Sequence, residues 1–318
     1  MRAFIFPGQG SQKIGMGADL AAASPAARAV FEEVDDALGQ KLFAIMREGP
    51  DEALLLTENA QPAIMANAIA VLRVLEQEGG ISLASKADFV AGHSLGEYTA
   101  LCAAGAFSLA DTARLLKLRG QAMQAAVPVG VGAMCALLGA DLAKAQALAD
   151  AAAEDPIPGR EKGVCTVAND NDPGQVVLSG HKTAIDRAVA MVKGFDIKRG
   201  VLLPVSAPFH CPLMQPAADA MAVALAQTPP GTLHVPLYAN VTAAITSDPA
   251  EVSRLLVEQV TARVRWRESV IALHAAGVDQ FVEFGGKVLG PMIARCVSDV
   301  TVISAITMND IEALAKEL

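Results

Sequence analysis

Gly92-His93-Ser94-Leu95-Gly96 matches the pattern G-x-S-x-G. Small residues flank the serine because a nucleophile on a sharp strand-to-helix turn has no room beside it for side chains. Such a turn exposes Oγ and aims the first helical N–H groups at the reacting centre. A serine hydroxyl is a poor nucleophile until a base takes its proton. The candidates are His93, His181, His210, His234 and His274. His93 adjoins the serine, and its ring is expected to point away on so tight a turn. His210 closes Pro204-Val205-Ser206-Ala207-Pro208-Phe209-His210, a strand end running into a loop, where catalytic groups tend to sit. A lone histidine is also a common structural residue, so by itself His210 stays open between the two roles.

Two further segments could serve acyl chemistry. Pro7-Gly8-Gln9-Gly10-Ser11-Gln12 follows the first predicted strand. It lacks the Gly-Lys-Ser/Thr of a phosphate loop, and Lys13 breaks G-x-G-x-x-G. The loop could lend a backbone N–H to an oxyanion, although taken alone it reads as a strand-to-helix turn. Arg119 stands towards the end of a helical run, Leu109–Leu118, and opens an uncharged stretch from Gly120 to Ala140. As a helix-end cation it needs no function. With no carboxylate in that stretch, it could instead grip a substrate carboxylate through two parallel hydrogen bonds.

The elements that must position these residues alternate in type. Ala3–Phe6 and Phe89–Ala91 read as buried strands. Ala60–Leu75 reads as a helix, because Ile64, Ala68, Val71, Leu72 and Leu75 recur at helical spacing. Alternation of this kind predicts an α/β sheet covered by helices. Between them and the later strand Val278–Phe284 lies a different pattern. Gly132–Leu138 is predicted as a strand, Leu142–Ala153 as a helix and Glu154–Gly163 as a surface loop. Val164–Ala168 and Gln175–Ser179 are strands joined by a turn-rich Asn169–Gly174, followed by a helix over Thr183–Val192 and a strand over Lys198–Val205. The order β-α-β-β-α-β is the ferredoxin-like unit, which would close on itself as an insertion.

Composition narrows the classes. The 318 residues, 53% of them hydrophobic, can bury a sizeable core, and 19% charged is too little for a disordered chain. A net charge of -9 and 4% aromatics argue against duplex binding and against base-stacking platforms. The uncharged stretch could span a bilayer by length. Gln121, Gln124, Pro128 and its glycines make it instead a helix end, a turn and a buried strand, so no membrane association is expected. The apolar run before Pro7 is too short for a signal peptide. Five scattered cysteines at no metal-ligand spacing fit a reducing cytoplasm, and no metal is expected.

Taken together, the motifs resemble the malonyl-CoA:acyl carrier protein transacylase family of bacterial fatty acid synthesis. The likeness runs through PGQGSQ, GHSLGEYTAL, LRGQAMQ around Arg119, GAM at Met134, NDPGQVV, LPVSAPFHCPLM, NVTA, LVEQVTARVRW and GKVLGPM. It implies an α/β-hydrolase-like core with a parallel sheet, residues 1–127 and 204–318, and an inserted ferredoxin-like small subdomain, residues 128–203. It implies Ser94 as the acyl-accepting nucleophile, His210 as base and then acid, and the Gln259 backbone carbonyl as the group orienting the histidine. The oxyanion hole falls to the N–H groups of Gln9 and Leu95. Arg119 would clamp the malonyl carboxylate, Met123 and Met134 would line the acyl pocket, Asn171 would support the site, and Phe209 would oppose an α-methyl branch. The implied partners are malonyl-CoA, CoA and acyl carrier protein, with no cofactor, and the chain is expected to be monomeric.

Two departures from the family pattern stand out. Gly285-Gly286-Lys287 replaces the more usual Gly-Pro-Gly-Lys, and Asp170 and Asp172 flank Asn171. If those acids faced the cleft, they would repel a polyanionic substrate. An acidic carrier would also need a local basic face, for which Arg263, Arg265, Arg267, Lys287, Lys198 and Arg199 are candidates. Rival readings are a serine thioesterase or esterase, a malonyl transferase serving a polyketide or malonate-decarboxylase carrier, and a catalytically dead carrier-binding module.

Overall fold

The computed structural model describes residues 1–154, 162–205 and 207–318. Ten strands run along them: β1 Arg2–Phe6, β2 Phe89–Gly92, β3 Gly132–Leu138, β4 Cys165–Asp172, β5 Gln175–His181, β6 Arg199–Leu202, β7 Leu237–Ala239, β8 Ala244–Thr246, β9 Gln280–Phe284 and β10 Thr301–Ala305. Among the described residues they form two sheets, ordered β10-β9-β1-β2-β7-β8 and β4-β5-β3-β6.

In the larger sheet every pairing from β10 to β7 is parallel, and only the edge strand β8 runs antiparallel. Helices cover both faces, so the central strands read as continuous apolar runs. Side chains still alternate. Phe4 and Phe6 point into the core shared with Phe284 and the long helix Thr57–Gln77, whereas Ala3 and Ile5 point into a second layer with Trp266, Val270 and Phe281. Because β1, β2 and β7 are parallel neighbours, the loops that follow them leave at one edge of the sheet. That edge, the carboxyl end of the strands, is where open α/β sheets place their ligands.

The second sheet has the strand order and antiparallel pairing of a ferredoxin-like unit. Helices Leu142–Ala153 and Lys182–Met191 cover one face and share a core with Cys135, Leu137, Val167 and Leu178. The opposite face, with Met134, Ala136, Ala168 and Val177, joins the main core.

Three expectations change. The strand β4 does not stop at Ala168 but runs to Asp172, shrinking the predicted turn to Pro173-Gly174. The extension is held by the backbone of Val264, whose N–H donates to Ala168 O at 2.8 Å and whose carbonyl accepts from Asp170 N–H at 2.9 Å. The last small-sheet strand is shorter than predicted, Arg199–Leu202. Arg119 is not a helix-end cation, since its helix continues from Leu109 to Ala126. Most of the predicted loop Glu154–Gly163 lies outside the described residues. No helix among the described residues is long and apolar enough to cross a membrane.

Asp170 and Asp172 are buried, and neither is a free charge facing the cleft. Arg267 grips Asp170 from two nitrogens, Nε at 3.0 Å and Nη2 at 2.8 Å, and Arg295 meets Asp172 at 2.7 Å. These pairs fasten the end of β4 to helices Trp266–Ala275 and Leu289–Cys296. Removing one partner of a buried pair strands the other charge. Arg267→Ala is therefore expected to lower unfolding free energy by about 3 kcal/mol, the low end for such pairs, because the arginine keeps part of its surface in water. Arg254→Ala, at the exposed Arg254–Glu258 pair, should cost under about 1 kcal/mol. Equal midpoints of denaturant unfolding for the two variants would refute this difference.

Candidate active site

The sharp turn after β2 needs glycine on both sides of the serine. A Cβ on Gly92 would lie 2.0 Å from the Gly96 backbone, and one on Gly96 would lie 2.2 Å from Phe6 O. Ser94 itself sits at φ 55°, ψ -112°, a conformation costly for a residue with a Cβ. It is held there by Asn240, whose Oδ1 accepts from Ser94 N–H at 2.8 Å and whose Nδ2 donates to Gly92 O at 2.7 Å. The helix Leu95–Ala103 starts immediately after the serine.

His210, also at positive φ (57°), brings Nε2 to 2.7 Å from Ser94 Oγ. Its Nδ1 lies 2.8 Å from the backbone carbonyl of Gln259. A carbonyl can only accept, so Nδ1 carries the hydrogen and the Nε2 lone pair faces the serine hydroxyl. Burial, and then the positive charge of Arg119, push the histidine's pKa down to about 3. The ring is neutral at pH 7 and ready to accept a proton. His93 turns its Nε2 to Asn171 Oδ1 at 2.8 Å, away from the serine–histidine pair.

Arg119 is 1% exposed and forms no salt bridge among the described residues. Its Nη1 donates to Gln61 Oε1 at 2.8 Å, and its Nη2 donates to Gln259 Oε1 at 2.8 Å and to Ser94 Oγ at 3.2 Å. Both amide acceptors are neutral, and burial lowers the arginine's pKa. A cationic fork beside the Ser94 hydroxyl, with no anion on it, suits an incoming carboxylate.

A cavity of about 360 Å³ opens over this group. Gln9, Ser94, Leu95, Arg119, Met123, Met134, Phe209 and His210 line it. Gln259 and Asn171 stand behind the lining, the first against His210 and Arg119, the second against His93. Gln9 is tied through its side-chain oxygen to Thr57 Oγ1 at 3.1 Å. Leu95 opens its helix, where the first N–H groups have no intrahelical acceptor. Among the described residues no group of His, Cys, Asp and Glu could hold a metal ion.

Three contributors have no assigned role in the sequence reading. Gln61 and Asn240 are polar side chains in otherwise apolar surroundings, which is the signal that could have marked them. Glu97, an acid inside the elbow motif, is 1% exposed, and burial lifts its pKa to about 7.

Comparison with known proteins gives the family. The acyl transferase domain family matches residues 3–286. The malonyl CoA-acyl carrier protein transacylase of Escherichia coli (strain K12) is 43% identical over 317 residues, covering 99% of this chain and 98% of the relative. That of Bacillus subtilis (strain 168) is 42% identical over 294 residues, covering 92% and 89%. The solved acyl-carrier-protein-S-malonyltransferase from Bartonella henselae superposes with a TM-score of 0.95 at 51% identity, covering 99% of this chain and 98% of that one. A malonyl-transacylase in complex with its type II polyketide acyl-carrier protein gives a TM-score of 0.93 at 37% identity, covering 100% and 99%. With a nucleophile elbow, a histidine on a backbone carbonyl and a buried arginine on one scaffold, the chain belongs to the malonyl-CoA:acyl carrier protein transacylase family of acyl transferases.

Proposed function

We propose that this enzyme moves malonyl from malonyl-CoA to the phosphopantetheine thiol of acyl carrier protein through a malonyl-Ser94 ester, supplying fatty acid synthesis in the cytoplasm. The observation that carries it is the convergence on Ser94 Oγ of a neutral histidine at 2.7 Å and a carboxylate-free arginine at 3.2 Å.

In the first half-reaction His210 Nε2 takes the Ser94 proton as Oγ attacks the thioester carbonyl. The N–H groups of Gln9 and Leu95 receive the developing oxyanion, where preorganised donors give a large electrostatic benefit. Collapse expels the CoA sulfur, which takes the proton from His210. The carrier thiol then gives its proton to His210 and attacks the ester, and Ser94 is regenerated with that proton. Arg119 holds the malonyl carboxylate through one N–H on each terminal nitrogen, and Gln61 and Gln259 hold the others. No metal or bound cofactor enters these steps. Met123, Met134 and Phe209 shape the acyl pocket, while Asn171 steadies His93 in its wall.

The division into 1–127 with 204–318 and an inserted 128–203 is supported by the separate second sheet and its own apolar cluster. Of the candidate carrier-facing cations, Arg263 and Arg265 are paired with Glu268, and Arg267 with Asp170. Lys198, Arg199 and Lys287 remain exposed and carry the docking proposal.

The test is acyl transfer from malonyl-, methylmalonyl- and acetyl-CoA to purified holo-acyl carrier protein, read by mass spectrometry. Malonyl-carrier is expected to dominate. Methylmalonyl should be slower by roughly 10–200-fold, the range one methyl group can give through packing against a ring such as Phe209. Release of free malonate with no carrier labelled would instead identify a hydrolase.

A further inference from the structure

Glu97 lies beneath the nucleophile and touches neither His210 nor the cavity. Its Oε2 accepts from Gln259 Nε2 at 2.9 Å and from Asn240 N–H at 3.1 Å. Both donors belong to residues that hold Ser94. Gln259 Nε2 also donates to Ser94 O at 3.1 Å, and Asn240 Oδ1 takes the Ser94 N–H.

The Gln259 amide is directional. A carboxylate and a carbonyl can only accept, so both draw the NH2 end towards themselves. The amide oxygen is then left facing Arg119 Nη2, which it meets at 2.8 Å. A flipped amide would set its NH2 against the guanidinium, donor to donor, and its oxygen against the buried carboxylate. Glu97 is also the carboxylate whose charge bears on Arg119, although Gln259 stands between them. In its ionised form, which dominates above its pKa of about 7, Glu97 is the stronger of the two groups that hold the amide, because a hydrogen bond to a charged acceptor is roughly twice as strong as a neutral one.

Resting on the transacylase reading, we propose that Glu97 is a positioning residue for acyl-group selection: by fixing the Gln259 amide it sets the Arg119 fork that takes the free carboxylate of the acyl donor. Two shells of side chains, not one, then separate a malonyl donor from an acetyl donor. Glu97 touches no reacting atom. Its effect falls on the group with a carboxylate to hold and spares the one without.

The experiment compares wild type, Glu97→Leu and Glu97→Gln in malonyl and acetyl transfer to holo-acyl carrier protein. Glu97→Leu removes the acceptor at similar volume and is expected to lower the malonyl/acetyl ratio of kcat/KM by about tenfold or more, the scale of one misdirected buried hydrogen bond. Glu97→Gln keeps an acceptor oxygen and should bring the ratio back to within about threefold of wild type. A parallel fall for both donors in Glu97→Leu would show a purely structural residue and overturn the proposal, as would failure of Glu97→Gln to restore the ratio. Gln259→Leu keeps the backbone carbonyl on His210 and removes the amide, so it must lower the same ratio even if Glu97→Leu does not fold. An unchanged ratio there also overturns the proposal. Wild type in the same assay separates the two levels: no malonyl transfer defeats the transacylase reading, whereas transfer with an unchanged variant ratio defeats only the role of Glu97.

Discussion

Ser94→Ala mixed with radiolabelled malonyl-CoA is expected to carry no covalent label, and carrier malonylation is expected to fall by at least about 10⁴-fold, the effect of deleting a covalent nucleophile. Among the described residues, none other than Ser94 that lines the cavity carries a hydroxyl or a thiol. The other hydroxyl in the first loop, Ser11, donates to Gly8 O at 3.0 Å. The cysteine beside the base, Cys211, is fully buried, with its thiol pKa raised by burial. His210→Ala should be nearly as severe, because the hydroxyl then has no acceptor for its proton. The double variant should be little worse than either single one, since nucleophile and base act as a unit. The strained backbone at residue 94 is imposed by Asn240 and the two glycines, so alanine keeps the turn and the fold. Persistent label in Ser94→Ala would refute the assignment.

The second large effect is expected at Arg119. Arg119→Ala should lower kcat/KM for malonyl transfer by about 10²–10³-fold, as when one partner of a desolvated charge pair is removed. Acetyl transfer, which presents no carboxylate, should fall far less, so the malonyl/acetyl ratio drops. Arg119→Lys keeps the charge without the planar fork and should recover only part of the loss. A further sign follows from His210. Arg119 is among the causes that hold its pKa down, so deleting the arginine raises it. A base is lost when it protonates, and the acid limb of the acetyl-transfer pH profile must therefore move to higher pH in Arg119→Ala. An unchanged donor ratio, or an acid limb that moves the other way, would count against the clamp.

How much of this was legible in the sequence depended on how local the cause was. The elbow glycines, the strands β1 and β2 and the helix Leu142–Ala153 follow from short-range patterns, and they lie close to where those patterns put them. Asn169–Asp172 misled, because Asn and Asp favour turns in isolation, while here Val264, Arg267 and Arg295 satisfy them as strand. Arg119 looked like a helix end because the charged residues stop there, yet the helix runs on with Gly120 packed against the backbone of Glu58. The serine, histidine and arginine could be named from motifs. Of their shared supports only Gln259 could be named with them, as the carbonyl behind the histidine; Gln61, Glu97 and Asn240 could not, because the four come together from three helices and a loop, and no spacing in the chain records that meeting. Three of the four arginines offered for a carrier-docking face, Arg263, Arg265 and Arg267, are a similar case, since their acidic partners fold back onto them.

The strand β3 carries its side chains alternately into two apolar clusters, Cys135 and Leu137 into one, Met134 and Ala136 into the other. A strand cannot release one set of side chains while keeping the other in place. Loss of the second sheet's own apolar cluster would therefore withdraw Met134 from the cavity, and loss of the cavity wall would pull on that sheet in turn. The two sheets are therefore expected to unfold as one cooperative unit, with no state in which the second sheet has melted and the cavity around Ser94 stays intact.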